Sequence, residues 1–474
     1  MPSRILALAA TVLLGACALP VVGPDHEPPD PRLPATWSGT PPGPQARSGQ
    51  DTRLARWWTE FGDATLDGLV EQALAGNLDA KLAEARLQQA RASRQSAVAG
   101  LYPTVSASTG RSRTRNSEAI APQPARTLYD VGFDASWEID LFGGARRGIE
   151  AADADLAASA AGVDNARVSL VAELARNYVE LRSYQRRIAI ARDHLASQNE
   201  TVQITEWRYQ AGLARASEVE QARTSREQTR AGIPDLEVSL VAAENRIAVL
   251  LGRNPGELHA ALAAATPLPA LPAGVAAGIP ADVLRRRPDL IAAERTLAAE
   301  TARVGQKLAQ RFPGLSLSGS FGWQAYSFAA LGGTGTVARA IGGTLAATLF
   351  DGGRLRSQVE AQSAVQEQAL LSYQSGILSA LEEVENALKG HAAARDRLDA
   401  RQAAAESARN AAELSRNLYQ TGLADFQQVL ETQRTQLSAE DSLASAEAVL
   451  RTSLIALYKA LGGGWDTTIS EKKS

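Results

Sequence analysis

The hydrophobic pattern of this 474-residue chain switches between two periods, and the whole switch happens twice. Over 64–99, Leu66, Leu69, Val70, Ala73, Leu74 and Leu78 recur at helical spacing and predict a helix, stopped by Pro103. From Val131 the period becomes two. Val131, Phe133, Ala135, Trp137, Ile139 and Leu141 alternate with Asp130, Gly132, Asp134, Ser136, Glu138 and Asp140, which predicts a strand with one apolar and one polar face. A weaker strand over 103–115 precedes it, and the two read as a hairpin. The pattern returns with Leu315, Leu317, Phe321 and Trp323 against Ser316, Ser318, Ser320 and Gln324, followed by Val337, Ile341, Leu345, Ala347 and Leu349.

Each hairpin is followed by a helical stretch of unusual length, 144–210 and 353–420, about 100 Å at 1.5 Å per residue. Leu174, Leu181, Ile188, Leu195, Val202 and Tyr209 recur every seven residues, a left-handed coiled-coil seam. Leu156, Val163 and Leu170 keep that period four residues out of phase, a stutter that locally unwinds the supercoil. The returning helices carry Leu236, Leu240, Ala243, Ile247 and Leu250, and Leu443, Ala446, Leu450, Ser453 and Leu457. Pro234 predicts a kink in the first of them.

A shift of 210 residues superimposes the two halves. Tyr209-Gln210-Ala211-Gly212-Leu213-Ala214 falls on Tyr419-Gln420-Thr421-Gly422-Leu423-Ala424, and Leu74, Asp79, Glu84, Leu87 and Pro103 fall on Leu284, Asp289, Glu294, Leu297 and Pro313. This is an internal duplication. Leu141-Phe142 needs a shift of 208 to meet Leu349-Phe350, a two-residue slip that fits a loop insertion. Repeat 1 is placed at 56–252 (strands about 103–115 and 127–142, returning helix 217–252) and repeat 2 at 281–465 (strands about 313–326 and 336–350, returning helix 425–461). A Pro-bearing linker, 253–280, lies between them, and a tail, 466–474, follows.

Gly212 and Gly422 are placed to end the long helices in a left-handed C-cap. Ser217 with Glu220, and Asp425 with Gln428, have the spacing to start the next ones. Two tight helix-turn-helix tips result, and the apolar Leu213 and Leu423 at their ends favour a docking surface.

Four strands of about 10–14 residues are long enough to cross a bilayer at a tilt, and acids recur on one face as they would beside water. Four cannot close a membrane barrel, because the smallest have eight strands and open edges are not tolerated in lipid. Several copies must share one; counting strands alone permits two, three or four copies.

Composition sharpens the setting. Arg4, the apolar run Ile5–Leu14 and Leu14-Gly15-Ala16-Cys17 form a signal peptide over 1–16, too short to span hydrocarbon. The tetrapeptide resembles the bacterial lipobox, which makes Cys17 the expected lipidation site and the new N-terminus. Ala18 after it is compatible with delivery to the outer membrane. The covalent lipid is the only prosthetic group expected. A Pro-rich strap, 17–55, follows, with nine prolines between Pro20 and Pro44. Cys17 is the single cysteine, so no intramolecular disulfide is available. A net charge of −3 without a basic block gives no case for nucleic acid.

Beyond these patterns the chain resembles the TolC-type outer-membrane factor family, in its NodT lipoprotein branch, over nearly its whole mature length. The resemblance is carried by Trp57-Trp58 with Phe61 and Asp63, Arg286-Arg287-Pro288-Asp289-Leu290, Phe312-Pro313 with Ser316-Leu317, Gly319-Ser320-Phe321-Gly322, Leu349-Phe350-Asp351-Gly352-Gly353-Arg354 and Leu461-Gly462-Gly463-Gly464-Trp465. It implies a mainly α fold with a membrane β-barrel portion: two tandem repeats of helix, β-hairpin, long helix and helix, assembled as a homotrimer with a twelve-stranded barrel on a long α-helical barrel. It also implies a lipid-anchored place in the outer membrane, and partnership with a periplasmic membrane-fusion adaptor and an inner-membrane resistance-nodulation-division transporter. Gly212, Leu213, Gly422 and Leu423 become expected adaptor contacts. The second tip becomes an aperture, with Tyr419 as its aromatic residue and Gln428 and Glu431 at two positions often held by Asp. Gln428 and Ala424, which stands where some members have Arg, are departures and shift the expected closure from ionic locks toward Tyr419 packing and hydrogen bonds.

Catalytic signals do not emerge. His26, His194, His259 and His391 lack metal-ligand spacing, and Gly143-Gly144 and Gly352-Gly353 match no phosphate loop. The expected function is an outer-membrane efflux channel. The alternatives are a duct for type I protein secretion, which shares the fold, and a non-conducting trimeric scaffold or adhesin.

Overall fold

The computed structural model describes residues 21–30, 33–34, 36–37, 54–115, 124–272 and 285–465. The signal peptide, Cys17, most of the strap and the tail lie outside the described residues.

A 3-10 turn, Trp57–Phe61, leads into α1 (Ala64–Gly76) and α2 (Leu78–Ala99). The hairpin β1 (Thr104–Thr114) and β2 (Arg126–Ile139) follows, then α3 (Gly144–Gln210) and α4 (Ala216–Leu250). After the short α5 (His259–Leu262) come α6 (Pro288–Ala309), β3 (Gly314–Ala325), β4 (Val337–Ala346), α7 (Arg354–Gln420) and α8 (Phe426–Ala460). The 210-residue shift carries α2 onto α6, α3 onto α7 and α4 onto α8 end to end, with 22, 67 and 35 residues in both copies.

Two local expectations are corrected. The helix expected over 64–99 is two helices, because Asn77 at the break is extended; its Oδ1 accepts from Ala80 N at 2.8 Å and its Nδ2 donates to Leu250 O at 2.9 Å. The side chain thus offers the backbone an alternative to continuing the ladder. Pro234 lies inside α4, which is one helix from Ala216 to Leu250. Its ring removes one N–H donor, and Thr229 and Ile233 before it, with Ala243 and Ile247 after it, are buried. Ser217 and Glu220 form no capping box: the N-cap is Arg215 without a side-chain cap bond, and Glu220 pairs with Arg223 at 2.8 Å.

The chain forms two compact units. One contains Arg86–Ser159 and Ala292–Ser375, and therefore the sheet. All four strands pair antiparallel in the order β1-β2-β3-β4, leaving β1 and β4 as open edges. Phe133 faces Phe321, Trp137 faces Leu317 and Ile139 faces Leu315, so the apolar faces of both hairpins coincide. Among the described residues nothing covers either face, and Val105, Phe133, Phe321, Ile341 and Leu345 are exposed. Beside the sheet, the first described residues of the strap are pinned. Val22 N donates to Phe142 O at 3.2 Å, and Arg147 donates to Val22 O, Gly23 O and Asp25.

The other unit, built from Pro31–Ala85, Ala160–Ile291 and Gly376–Ser474, holds the main core. Trp57, fully buried, stacks on Tyr458 at 5.0 Å and meets Phe61 edge-on at 6.0 Å. Leu66, Val70, Val171, Leu174, Leu181 and Ile247 close around them. Leu174, Leu181, Ile188 and Val202 of the heptad seam are buried.

Candidate functional site

Both tips belong to the second unit, and both use one backbone solution. In the first, Gly212 has φ 74°, Gly212 N donates to Tyr209 O at 2.9 Å and Leu213 N to Arg208 O at 2.7 Å. In the second, Gly422 has φ 80°, Gly422 N donates to Tyr419 O at 3.1 Å and Leu423 N to Leu418 O at 2.8 Å. These paired bonds are the Schellman motif, which needs a left-handed residue and so favours Gly. Such motifs usually tuck the next apolar residue against the preceding turn. Here Leu213 and Leu423 stay 70% and 78% exposed, so each tip ends in an uncovered leucine.

The second tip is the better packed. Tyr419, 5% exposed, lies with Phe426, Val429, Leu430, Val202 and Ala222 in one apolar cluster, its ring centroid 5.7 Å from Phe426. Asp425 caps α8 by accepting from Gln428 N at 2.9 Å. Tyr209, which the heptad assigned to the seam, is instead 51% exposed. The cause is in the sequence: the 210-residue shift sets Ala216 where Phe426 stands, so no ring covers Tyr209. Gln428 and Glu431 are both exposed, on the same first turns of α8.

Sequence reasoning missed Arg208. From the last turn of α3 its Nη1 donates to Tyr419 O at 2.8 Å, and its guanidinium carbon lies 4.4 Å from the Tyr419 ring centroid. A cation in the last helical turn is a familiar partner for free carbonyls, but here the carbonyl belongs to the other repeat, which no local signal reveals. Burial pushes the Tyr419 phenol up; its hydroxyl sits beside Thr205 without a hydrogen bond of good geometry among the described residues. Between the two turns lies a cavity of about 480 Å³ lined by Ile204, Arg208, Leu213, Gln420, Thr421 and Gly422.

Below the tip, α3 is fastened to α8 by polar contacts. Gln433 Nε2 donates to Thr201 Oγ1 at 2.9 Å, Arg187 forms two bonds to Asp441 at 2.6 and 3.0 Å, and His194 Nε2 lies 2.9 Å from Glu440. Arg409 and Gln436 also donate to Glu440. No cluster of metal-ligating side chains occurs among the described residues. Cys17 lies outside them.

Comparison with known proteins agrees with this architecture. The family model described as outer membrane efflux protein matches residues 69–253 and 279–463, once per repeat. Nodulation protein T of Rhizobium leguminosarum bv. viciae is 34% identical over 462 residues, covering 98% of this chain and 94% of that protein. The pyoverdine export outer membrane protein OpmQ of Pseudomonas aeruginosa is 32% identical, covering 97% and 96%. Among solved structures, the outer-membrane channel OprN superposes with a TM-score of 0.88 at 38% identity, over 94% of this chain and 99% of that one. The open state of the Neisseria gonorrhoeae MtrE channel gives 0.84 at 26%, over 94% and 99%. With both repeats matched and relatives above 30% identity along nearly the whole chain, this protein belongs to the outer membrane efflux protein family and is an outer-membrane efflux channel component.

Proposed function

We propose that three copies of this chain close a twelve-stranded barrel over a tunnel of long helices. The assembly passes drugs or other small molecules to the cell exterior, receiving them from a periplasmic membrane-fusion adaptor and an inner-membrane resistance-nodulation-division transporter. The observation that carries this reading is the sheet: four strands with two open edges, one apolar face and one face bearing Asp130, Asp134 and Glu138, neither covered by other described residues. Such a sheet needs lipid on one side, water on the other and further strands at both edges. Small-molecule cargo is supported by a relative named for pyoverdine export.

Gly212, Leu213, Gly422 and Leu423 are the adaptor contact in this reading, and the second tip is the aperture, formed by Tyr419 with Gln428 and Glu431. Cys17 carries the lipid. Val22 is hydrogen-bonded to Phe142 where β2 gives way to α3, and five residues of chain reach at most about 18 Å, so an acylated Cys17 would meet the membrane close to the base of the sheet.

Single-channel conductance of the purified, acylated protein in planar bilayers tests the reading. A small conductance that rises when Tyr419 and Glu431 are both replaced by Ala is expected. No conductance in either protein would replace the channel by a non-conducting scaffold.

A further inference from the structure

The charges of the sheet are sorted by face. In β2, Asp130, Asp134 and Glu138 alternate with Val131, Phe133, Ala135, Trp137 and Ile139, so the acids and the apolar residues occupy opposite faces. Register extends that assignment to the other strands, because residues directly opposite share a face. Arg111 is opposite Tyr129, Arg113 is opposite Thr127, and Arg339 is opposite Phe321, which is itself opposite Phe133. All three arginines therefore stand on the apolar face, where none of the four strands places an acid.

Their position along the strands is equally selective. Arg111 and Arg113 lie in the last four residues of β1, and Arg339 is the third residue of β4, so all three sit near the hairpin ends of their strands, away from the helices. An aromatic belt accompanies them. Tyr129 packs edge-on against Phe328 at 5.9 Å, and the Arg111 guanidinium carbon lies 5.7 Å from the Tyr129 ring centroid. This is a cation–π placement, the guanidinium held over a ring near the hairpin end of the strand. Arg113 and Arg339 have no hydrogen bond or ion pair among the described residues.

The third selectivity is the choice of strands. The central strands β2 and β3 carry no arginine on the apolar face; the arginines are confined to the edges β1 and β4. Where copies share one barrel, β4 of one copy meets β1 of the next, and Arg339 arrives at the same seam as Arg111 and Arg113. Guanidinium groups with no acid to answer them among the described residues, at headgroup depth on a lipid-facing surface, call for an anionic partner from the membrane. That partner is phosphate borne by lipid, which a planar guanidinium engages through two parallel hydrogen bonds.

We propose that each seam between copies is a binding site for a phosphorylated lipid of the outer leaflet, with Arg111, Arg113 and Arg339 holding its phosphate groups and Tyr129 and Phe328 packing beside them. This rests on the barrel reading above, and it adds a lipid ligand on the outside of the channel, distinct from the cargo inside.

The test uses the full acylated protein, delipidated in detergent and then titrated with a bisphosphorylated glycolipid (lipid A) or with the same lipid stripped of phosphate. Retained lipid is counted by native mass spectrometry. Wild type is compared with the triple variant Arg111→Gln, Arg113→Gln, Arg339→Gln, with the single variant Arg113→Gln, and with Arg126→Gln on the opposite face as a control. Expected is saturable binding of the phosphorylated lipid, weakened roughly tenfold or more in the triple variant and less in the single one. Arg126→Gln should bind as wild type does, and equimolar inorganic phosphate should not compete. Equal binding of both lipids by wild type, equal binding by wild type and both lipid-face variants, or displacement by inorganic phosphate would overturn the proposal. Conductance is measured on the same preparations. If wild type conducts without preferring the phosphorylated lipid, only the lipid site falls; if it forms no channel, the barrel reading falls and takes the seam with it.

Discussion

Arg208 and Tyr419 join the ends of the two long helices: the guanidinium of one donates to the backbone carbonyl of the other at 2.8 Å and lies 4.4 Å from its ring centroid. One side chain thereby adds a second donor to a helix-end carbonyl that already accepts from Gly422 N, and covers the face of an aromatic ring, and it does so between repeats. Ala424 leaves the second turn without a cation of its own, so Arg208 is the cation that touches Tyr419. Replacing Arg208 with Ala should leave the Tyr419 carbonyl with Gly422 N as its donor, uncover the ring face, loosen the second tip and raise single-channel conductance. Arg208→Lys should fall between the two, since an ammonium keeps the charge and loses the planar fork. If Arg208→Ala conducts as wild type does, the contact has no part in closing the tip.

The two tip glycines are needed for their backbone angle rather than for space. No heavy atom lies within 4 Å of a Cβ added at Gly212 or Gly422, yet their φ values of 74° and 80° are ones that L side chains rarely adopt. Gly422→Ala should therefore cost about 1–2 kcal/mol locally. Gly232 is the useful contrast: it lies inside α4, also with nothing within 4 Å, so Gly232→Ala should stabilise by about 0.5–1 kcal/mol. Hydrogen exchange over 418–424 should accelerate in the first variant and stay unchanged in the second, whose effect should appear in the thermal midpoint. Equal exchange at the turn in both would mean that the Schellman geometry is not maintained in solution.

Much of this fold was legible because long regular elements repeat one rule many times. The alternation from Val131 to Ile139 gave both the strand and its faces, and the spacing of Leu174, Leu181 and Ile188 marked a seam that is buried. What failed were decisions made by a single side chain. Asn77 breaks a helix because its amide finds two backbone partners, one of them Leu250, which lies 173 residues away in sequence. Tyr209 and Tyr419 occupy equivalent places in the duplication, and only the change from Ala216 to Phe426 decides that one is exposed and the other covered. Arg208 was invisible for the same reason, since its partner is a backbone atom of the other repeat and carbonyls leave no trace in sequence.

Acid should weaken the α3–α8 contact through Glu440. Burial works to raise the pKa of this carboxylate, but hydrogen bonds from His194, Gln436 and Arg409 outweigh it and hold the group below its ordinary 4.5. The unfolded chain then binds the proton more readily than the folded one. The contribution is fully present above pH 4.5 and disappears as pH falls through the depressed value. Thermal midpoints followed from pH 7 down to about 3 should drop more steeply for wild type than for Glu440→Gln, which has no carboxylate to protonate. Parallel curves would show that other groups account for the acid sensitivity.

Arg147 should decide whether the strap stays docked. It lies in the first turn of α3 with its side chain buried, and it donates to Val22 O at 3.2 Å, Gly23 O at 3.1 Å, Asp25 at 2.7 Å and Glu150 at 2.7 Å. Three of these four acceptors belong to the strap, which is also tied through its backbone by Val22 N to Phe142 O. Arg147→Ala would leave two strap carbonyls without their donor, a loss of about 2–3 kcal/mol for bonds made by a charged group. That corresponds to roughly 30–150-fold more frequent opening of the segment. Hydrogen exchange and proteolytic cleavage within 21–30 should rise accordingly, while the core of the other unit around Trp57 and Tyr458 keeps its protection. Arg147→Lys should recover the least at the two carbonyls, because one ammonium cannot span the separate acceptors that the guanidinium reaches through Nε and Nη2. Unchanged exchange over 21–30 in Arg147→Ala would place the docking energy elsewhere, with His26 and Glu294, 2.6 Å apart, as the next pair to remove.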